Sequence, residues 1–273
     1  MDSDQTVHWN GPSACAWVEG QETLDRLWQP FADLLVDGVR LGAHVLDIGC
    51  GAGATTLAAA RRAGAAGQCT GVDISEPLLT LARARAEREG VRATFLGADA
   101  GSCAFDPASF DRIISRFGVM FFDDPVEAFR NLRRAAKQDG ELRFAVWRSP
   151  DENPFMTTAE RAAAPLLPDL PARQPNEKGQ FGFADRDRVF GILRDSGWKN
   201  VDMSPIDVAC SLSEDELARY ITRLGPVGKA LESVDETTRA HVVRTVRPAF
   251  DAYVDRDRVR FTAACWMATA RAN

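Results

Sequence analysis

The chain has 273 residues, 45% hydrophobic and 26% charged, with a formal net charge of −6. This is ordinary globular composition, long enough to bury a sizeable core. The acidic balance weighs against nucleic acid or an anionic membrane as partner, since either would need a basic patch.

No apolar run approaches the ~18 residues of a membrane span. The polar start Met1-Asp2-Ser3-Asp4 is unlike a signal peptide, so the expected location is cytoplasmic. Six cysteines (15, 50, 69, 103, 210 and 265) show no C-x-x-C or metal-type spacing. They are expected to be small apolar fillers, with no metal site.

Residues 1–40 are expected to form a helical leader or lid. The following run, His44 to Gly53, is apolar with an acid and three alternating glycines, Gly49, Gly51 and Gly53. It reads as a buried strand ending in a loop that lets backbone approach a ligand closely. Ala54 to Ala63 reads as a helix whose free N–H groups face the same place. Gln68 to Asp73 reads as a second strand ending in an acid, about ~20 residues after the glycines, as a ribose-binding carboxylate requires. Ser75 reads as an N-cap for a helix that stops at Gly90. A third strand, Ala93 to Gly97, leads to Asp99-Ala100, and a fourth covers Phe110 to Ser115. Asp124, Pro125 and Glu127 open a helix predicted to reach Gln138, and Gly140 lets the chain enter a fifth strand, Glu141 to Trp147.

Gly49-x-Gly51-x-x-Ala54 also fits the dinucleotide fingerprint, which keeps a nicotinamide oxidoreductase as an alternative. Asp47 argues against it. A carboxylate there would repel a pyrophosphate but suit a ligand carrying an ammonium and a sulfonium. Asp47-x-Gly49-x-Gly51-x-Gly53 resembles motif I of the class I S-adenosylmethionine-dependent methyltransferases. The resemblance covers residues 41–148. Within the class the chain resembles the ubiquinone/menaquinone methyltransferase-like group, whose members act mostly on small molecules. The leader, with Trp9-Asn10-Gly11-Pro12, Trp17-Val18, Leu24-Asp25 and Pro30-Phe31, is similar to one found in part of that group.

The resemblance implies S-adenosyl-L-methionine as cofactor. Its binding residues would be Asp47, Gly49, Cys50, Gly51, Gly53, Asp73, Ile74, Asp99, Ala100 and Arg116, with Trp17 at the cofactor end. Asp73 would take the ribose and Asp99-Ala100 the adenine. Ser115 to Phe122 would face the substrate. This loop lacks the Pro-Pro-aromatic sequence used on nucleobase or amide nitrogens, which argues against DNA, RNA or protein glutamine.

Beyond Trp147 the chain changes character. Residues 149–180 are proline-broken and expected to form a lid, with a short helix near Met156 to Ala164. Further expectations are a helix from Arg186 to Ser196, a sixth strand from Trp198 to Ala209, a helical cap over 213–253 broken at Gly225-Pro226, and a last strand over 260–271. The predicted fold is α/β: a doubly wound, seven-stranded, mostly parallel sheet, last strand antiparallel, with helical cap and lid segments in one domain. Trp9, Phe121, Phe122 and Phe155 are the expected substrate-pocket residues, and Trp28, Phe181 and Phe183 lie in neighbouring segments. They suit an apolar or aromatic small molecule accepting methyl on oxygen, nitrogen or carbon. Binding of the cofactor without methyl transfer, as in a cyclase, decarboxylase or regulator, stays open.

His8 is a candidate base or substrate contact, with Glu19, Glu22 and Arg116 as alternatives. His44 stands at the wrong end of its strand and His241 on a solvated helix face. The apolar stripes Leu217, Ile221, Leu224 and Val242, Val243, Val246 serve either cap packing or a homodimer.

Overall fold

Five residues, His44–Ile48 (β1), form the hub of the sheet because they are apolar enough to be covered on both faces. The computed structural model describes residues 4–273, apart from the side chains of Asp4, His8, Pro12 and Ser13. β1 pairs in parallel with β2 (Gln68–Asp73) on one side and β4 (Phe110–Arg116) on the other. With β3 (Thr94–Gly97), β5 (Ala136–Trp147), β6 (Lys199–Leu212) and β8 (Arg258–Arg271), the order is β3-β2-β1-β4-β5-β8-β6. β8 runs antiparallel to both β5 and β6. The order reverses direction between β1 and β4, where open α/β sheets leave a crevice at the carboxyl ends of their strands.

The crossover helices are α4 (Ala54–Ala63), α5 (Glu76–Glu89) and α6 (Pro125–Ala135). Asp124 caps α6 by accepting from the Glu127 N–H at 3.0 Å. This helix stops three residues short of the expected Gln138. Ala136 already pairs with Phe110, the ladder is irregular before Arg112 meets Glu141, and Asp139 sits at φ 60°. A bulged first rung replaces the last helical turn.

The leader forms α1 (Asp4–Asn10), α2 (Pro12–Glu19) and α3 (Gln21–Val36). Leu24, Leu27, Trp28, Phe31, Leu35 and Val36 recur on one face of α3 and are buried against the sheet. The lid segment carries α7 (Pro154–Ala163), and α8 (Arg186–Asp195) follows with Asp185 as its cap. The cap holds α9 (Glu214–Arg223), α10 (Gly225–Ala230), α11 (Glu236–Val246) and a 3-10 segment, Arg247–Tyr253. Ser213 and Glu216 close a capping box on α9.

Two further expectations change. β6 begins at Lys199 and continues to Leu212, while Trp198 is buried beneath it and donates its indole N–H to the Phe129 carbonyl at 3.0 Å. An eighth strand, β7 (Val254–Asp255), pairs with the start of β8 across a turn in which Arg256 takes φ 58°. Leu217, Ile221, Val242 and Val246 are buried inside the chain and pack the cap. Cys50, Cys69, Cys210 and Cys265 are buried fillers, whereas Cys15 is exposed. Among the described residues no helix is long and apolar enough to cross a membrane, and no cluster could hold a metal ion.

Candidate active site

The loop after β1 is laced to its neighbours by backbone. The N–H groups of Gly49 and Cys50 both donate to the Val72 carbonyl at 2.9 and 3.1 Å. On the other side the Ser115 hydroxyl donates to the Ile48 carbonyl at 2.8 Å and accepts the Gly118 N–H at 3.1 Å. The two loops touch so closely that a Cβ on Gly49 would lie 2.7 Å from the Gly118 Cα. Gly51 has the opposite character. At φ +52° it would project a Cβ into open space.

Gly51 lines one cavity of about 1130 Å³ at the crevice between β1 and β4. It exceeds the roughly 300–1,000 Å³ usual for a single small ligand. Its first half is lined by Gly49, Cys50, Gly51, Asp73, Ile74, Asp99, Ala100, Arg116 and Trp17. The second half is lined by Trp9, Phe121, Phe122 and Trp147, and by lid and cap residues including Met156, Leu166, Leu170, Tyr220, Leu224 and Lys229.

Asp73 is held by the Gly51 N–H on Oδ2 at 2.8 Å and the Ser75 N–H on Oδ1 at 2.9 Å. Burial raises its carboxyl above the ordinary value, opposed by those backbone bonds. Each oxygen keeps a further acceptor position. Asp99 turns back on its own loop, accepting from the Gly101 N–H at 2.8 Å and the Ser102 hydroxyl at 3.1 Å. Arg116 contacts Asp25 at 3.8 Å and the Trp28 carbonyl at 3.4 Å. Burial lowers its pKa, opposed by the charges of Asp25 and Asp47. Burial also pushes the Cys50 thiol well up, which removes it as a nucleophile.

Three expected site residues do not line the cavity. Asp47 lies behind the glycine loop, buried, with Oδ2 accepting the Thr56 hydroxyl at 2.6 Å and Oδ1 unpartnered. Burial lifts its pKa to about 7. The direct contact expected of it is therefore corrected to an indirect place beneath the loop. Gly53 serves packing, since a Cβ there would lie 3.0 Å from Ala82 and 3.1 Å from Phe95. Phe155 is core, stacked on Phe261 at 3.8 Å; Phe181 and Phe183 also pack inside the chain. His44 sits at the amino end of β1 and His241 is exposed on α11. The side chain of His8 lies outside the described residues.

Trp28, expected near the cleft, lines the cavity from one face of α3 together with Asp25 of the leader pattern and with Gln21, which the sequence did not single out. Their i, i+4, i+7 spacing was the available signal. Arg85, on α5, ties this face to the loop, contacting Asp25 at 2.7 Å and donating to the Ala52 carbonyl at 2.6 Å. Phe117 takes φ 65° and stacks on Trp147 at 4.9 Å. Such a conformation in a bulky residue stores strain at the crevice.

Residues 45–140 match the family model described as a methyltransferase domain. The ubiquinone/menaquinone biosynthesis C-methyltransferase UbiE of Escherichia coli (strain K12 / DH10B) is 26% identical over 189 residues, 66% of this chain and 75% of that protein. These likenesses support a class I S-adenosylmethionine-dependent methyltransferase, with residues 45–140 matching its domain. Solved structures share this fold. The YcgJ protein of Bacillus subtilis superposes with a TM-score of 0.58 at 18% identity, covering 89% of this chain and 98% of that one. A Haemonchus contortus phosphoethanolamine N-methyltransferase 2, solved with S-adenosyl-L-methionine, gives 0.51 at 18% identity, covering 93% of this chain and 52% of that one.

Proposed function

We propose that the first half of the cavity holds S-adenosylmethionine and the second half an apolar small-molecule acceptor. The observation that carries this reading is the continuity of one large cavity from the glycine loop to the lid and cap.

The donor set fits the cofactor part by part. Gly51 leaves the cradle open: it lines the cavity without a Cβ, and one built there would meet no atom within 4 Å. Asp73 would accept from both ribose hydroxyls, preorganised by the two N–H groups already on it. Asp99 and the Ala100 N–H would serve adenine. Asp25 and Arg116, loosely paired on the same wall, offer one charge of each sign. An amino-acid tail carries the complementary pair, its ammonium for Asp25 and its carboxylate for Arg116. A diphosphate would instead face Asp25 and Asp73, which disfavours the nicotinamide alternative. When bound, the cofactor supplies an electrophilic methyl group on a sulfonium.

The chain's own contribution is alignment and the exclusion of water. Phe117, Met120 and Trp147 line the cavity and present no ionisable group. Holding both partners in register can remove about 7–11 kcal/mol of barrier. Leu166, Leu170, Pro171, Leu224 and Pro226 add aliphatic wall to Trp9, Phe121 and Phe122. Tyr220 offers a hydroxyl whose contact is the Met156 sulfur at 3.7 Å, and Asp169, Arg173, Arg223, Lys229 and Glu232 also line the cavity. An apolar molecule carrying an oxygen, nitrogen or carbon nucleophile suits these walls.

The test is product analysis with methyl-labelled cofactor and a panel of phenols, quinones and aliphatic amines beside polar amino acids and nucleosides. Label is expected on an apolar member. Label only on polar members would overturn the acceptor reading.

A further inference from the structure

The leader is fastened to the core at one polar point beside the ribose carboxylate. Asn10, the last residue of α1, donates Nδ2–H to the Ile74 carbonyl at 2.8 Å and accepts the Glu76 N–H on Oδ1 at 2.9 Å. The same Nδ2 also reaches the Thr6 carbonyl at 2.8 Å, within its own helix. A carboxamide is the smallest side chain that offers a donor and an acceptor side by side. Here it meets one carbonyl and one N–H of the turn that follows Asp73, spanning more than sixty residues of sequence. Backbone groups at the start of α5 would otherwise be satisfied by water.

This clasp has consequences for the wall above the cavity. Immediately before Asn10, Trp9 packs edge-on against both Trp17 of α2, at 5.6 Å, and Phe121 of the loop after β4, at 5.7 Å. Trp9 and Trp17 line the cavity. The aromatic pair is part of the leader's share of the cavity wall. Asn10 ties the end of α1 to the turn that follows Asp73.

We infer that Asn10 is a positioning residue that holds the aromatic leader shut over the cofactor and so governs how fast the cofactor leaves. The inference rests on the cofactor site proposed above. Ile74 and Glu76 contribute only main-chain groups, so the turn imposes no demand on side-chain identity there. The demand falls on residue 10. Aspartate at this place would keep the acceptor for Glu76 but set an anion against the Ile74 carbonyl. Alanine would abolish the clasp altogether.

The experiment compares the full-length parent with Asn10→Ala, Asn10→Asp and Asp73→Ala. Calorimetry and displacement kinetics with S-adenosylhomocysteine read the site, and hydrogen exchange of the ligand-free protein reads the leader. For both Asn10 variants the affinity is expected to fall about tenfold, through faster dissociation, as the loss of a few hydrogen bonds implies. Exchange should quicken in residues 4–19 and around 74–76 while the sheet stays protected. Unchanged affinity, with or without faster leader exchange, would overturn the inference, because Asn10 would then be a structural contact alone. Asp73→Ala separates the two levels. If it too binds as the parent does, the cofactor-site reading fails; if it loses binding while the Asn10 variants keep theirs, only the clasp fails.

Discussion

Replacing Asp47 with asparagine should stabilise this enzyme at neutral pH, although Asp47 belongs to its motif I glycine segment. Burial lifts the Asp47 carboxyl from 3.8 to about 7, against the opposing pull of the Thr56 hydrogen bond and the Arg116 charge. Between those values the native chain keeps a proton that the unfolded chain has released. Stability then falls as pH rises through the window and is lowest above pH 7. Each pH unit is worth about 1.4 kcal/mol, so about three units amount to about 4 kcal/mol at pH 8. Asparagine carries no charge, and its amide oxygen can still accept from Thr56. Its NH₂ group would occupy the place of the unpartnered Oδ1 and costs about 1–3 kcal/mol if left unsatisfied there. A net gain of about 1–3 kcal/mol at pH 8 follows, roughly 2–12 °C in melting temperature for a chain of this size. The advantage should shrink by about 2 kcal/mol on going from pH 8 to pH 5.5, the part of the window above 5.5. Thermal unfolding followed by circular dichroism at both pH values checks this. An Asp47→Asn protein no more stable than the parent at pH 8, or a difference independent of pH, would refute the burial argument.

Further substitutions separate the parts of the site. Gly51→Ala puts a methyl group into the cavity and should cost at least tenfold in S-adenosylhomocysteine affinity with only ~1–2 kcal/mol of backbone strain. Gly49→Ala drives the same methyl group against the Gly118 backbone, so it should lower the melting temperature sharply and leave little folded protein to titrate. Arg116→Met should weaken S-adenosylhomocysteine by about 10–150-fold, the worth of a lost charged hydrogen bond. It should leave adenosine, which has no amino-acid tail, bound as tightly as before; calorimetry with both ligands decides. Phe155→Ala should destabilise the fold by about 3–5 kcal/mol in denaturant titration while the folded fraction keeps its cofactor affinity, because Phe155 packs on Phe261 outside the cavity.

The local βα units were legible because each is written within about twenty residues. The segment 54–63 is uninterrupted by glycine or proline between Gly53 and Gly64, and the α4 helix spans it as expected. The mostly parallel sheet with an antiparallel last strand is as expected. Long-range partners were not legible. Asp47 carries the motif's acid, yet its neighbour Thr56 reaches it from the first turn of α4 and withdraws it from the cavity. Phe155 looks like any lid aromatic in sequence; only the stacking on Phe261, over a hundred residues away, makes it core. Asp25 was visible only as part of a leader pattern, since its meaning depends on Arg85 and Arg116 arriving from two other elements.

The most direct test is a crystal structure of the full chain with S-adenosylhomocysteine. The account predicts the ribose hydroxyls on Asp73, adenine at Asp99 and Ala100, and the amino-acid carboxylate toward Arg116, with Trp9 and Trp17 closed above. Nucleoside bound away from Asp73, or a tail that avoids Asp25 and Arg116, would contradict it.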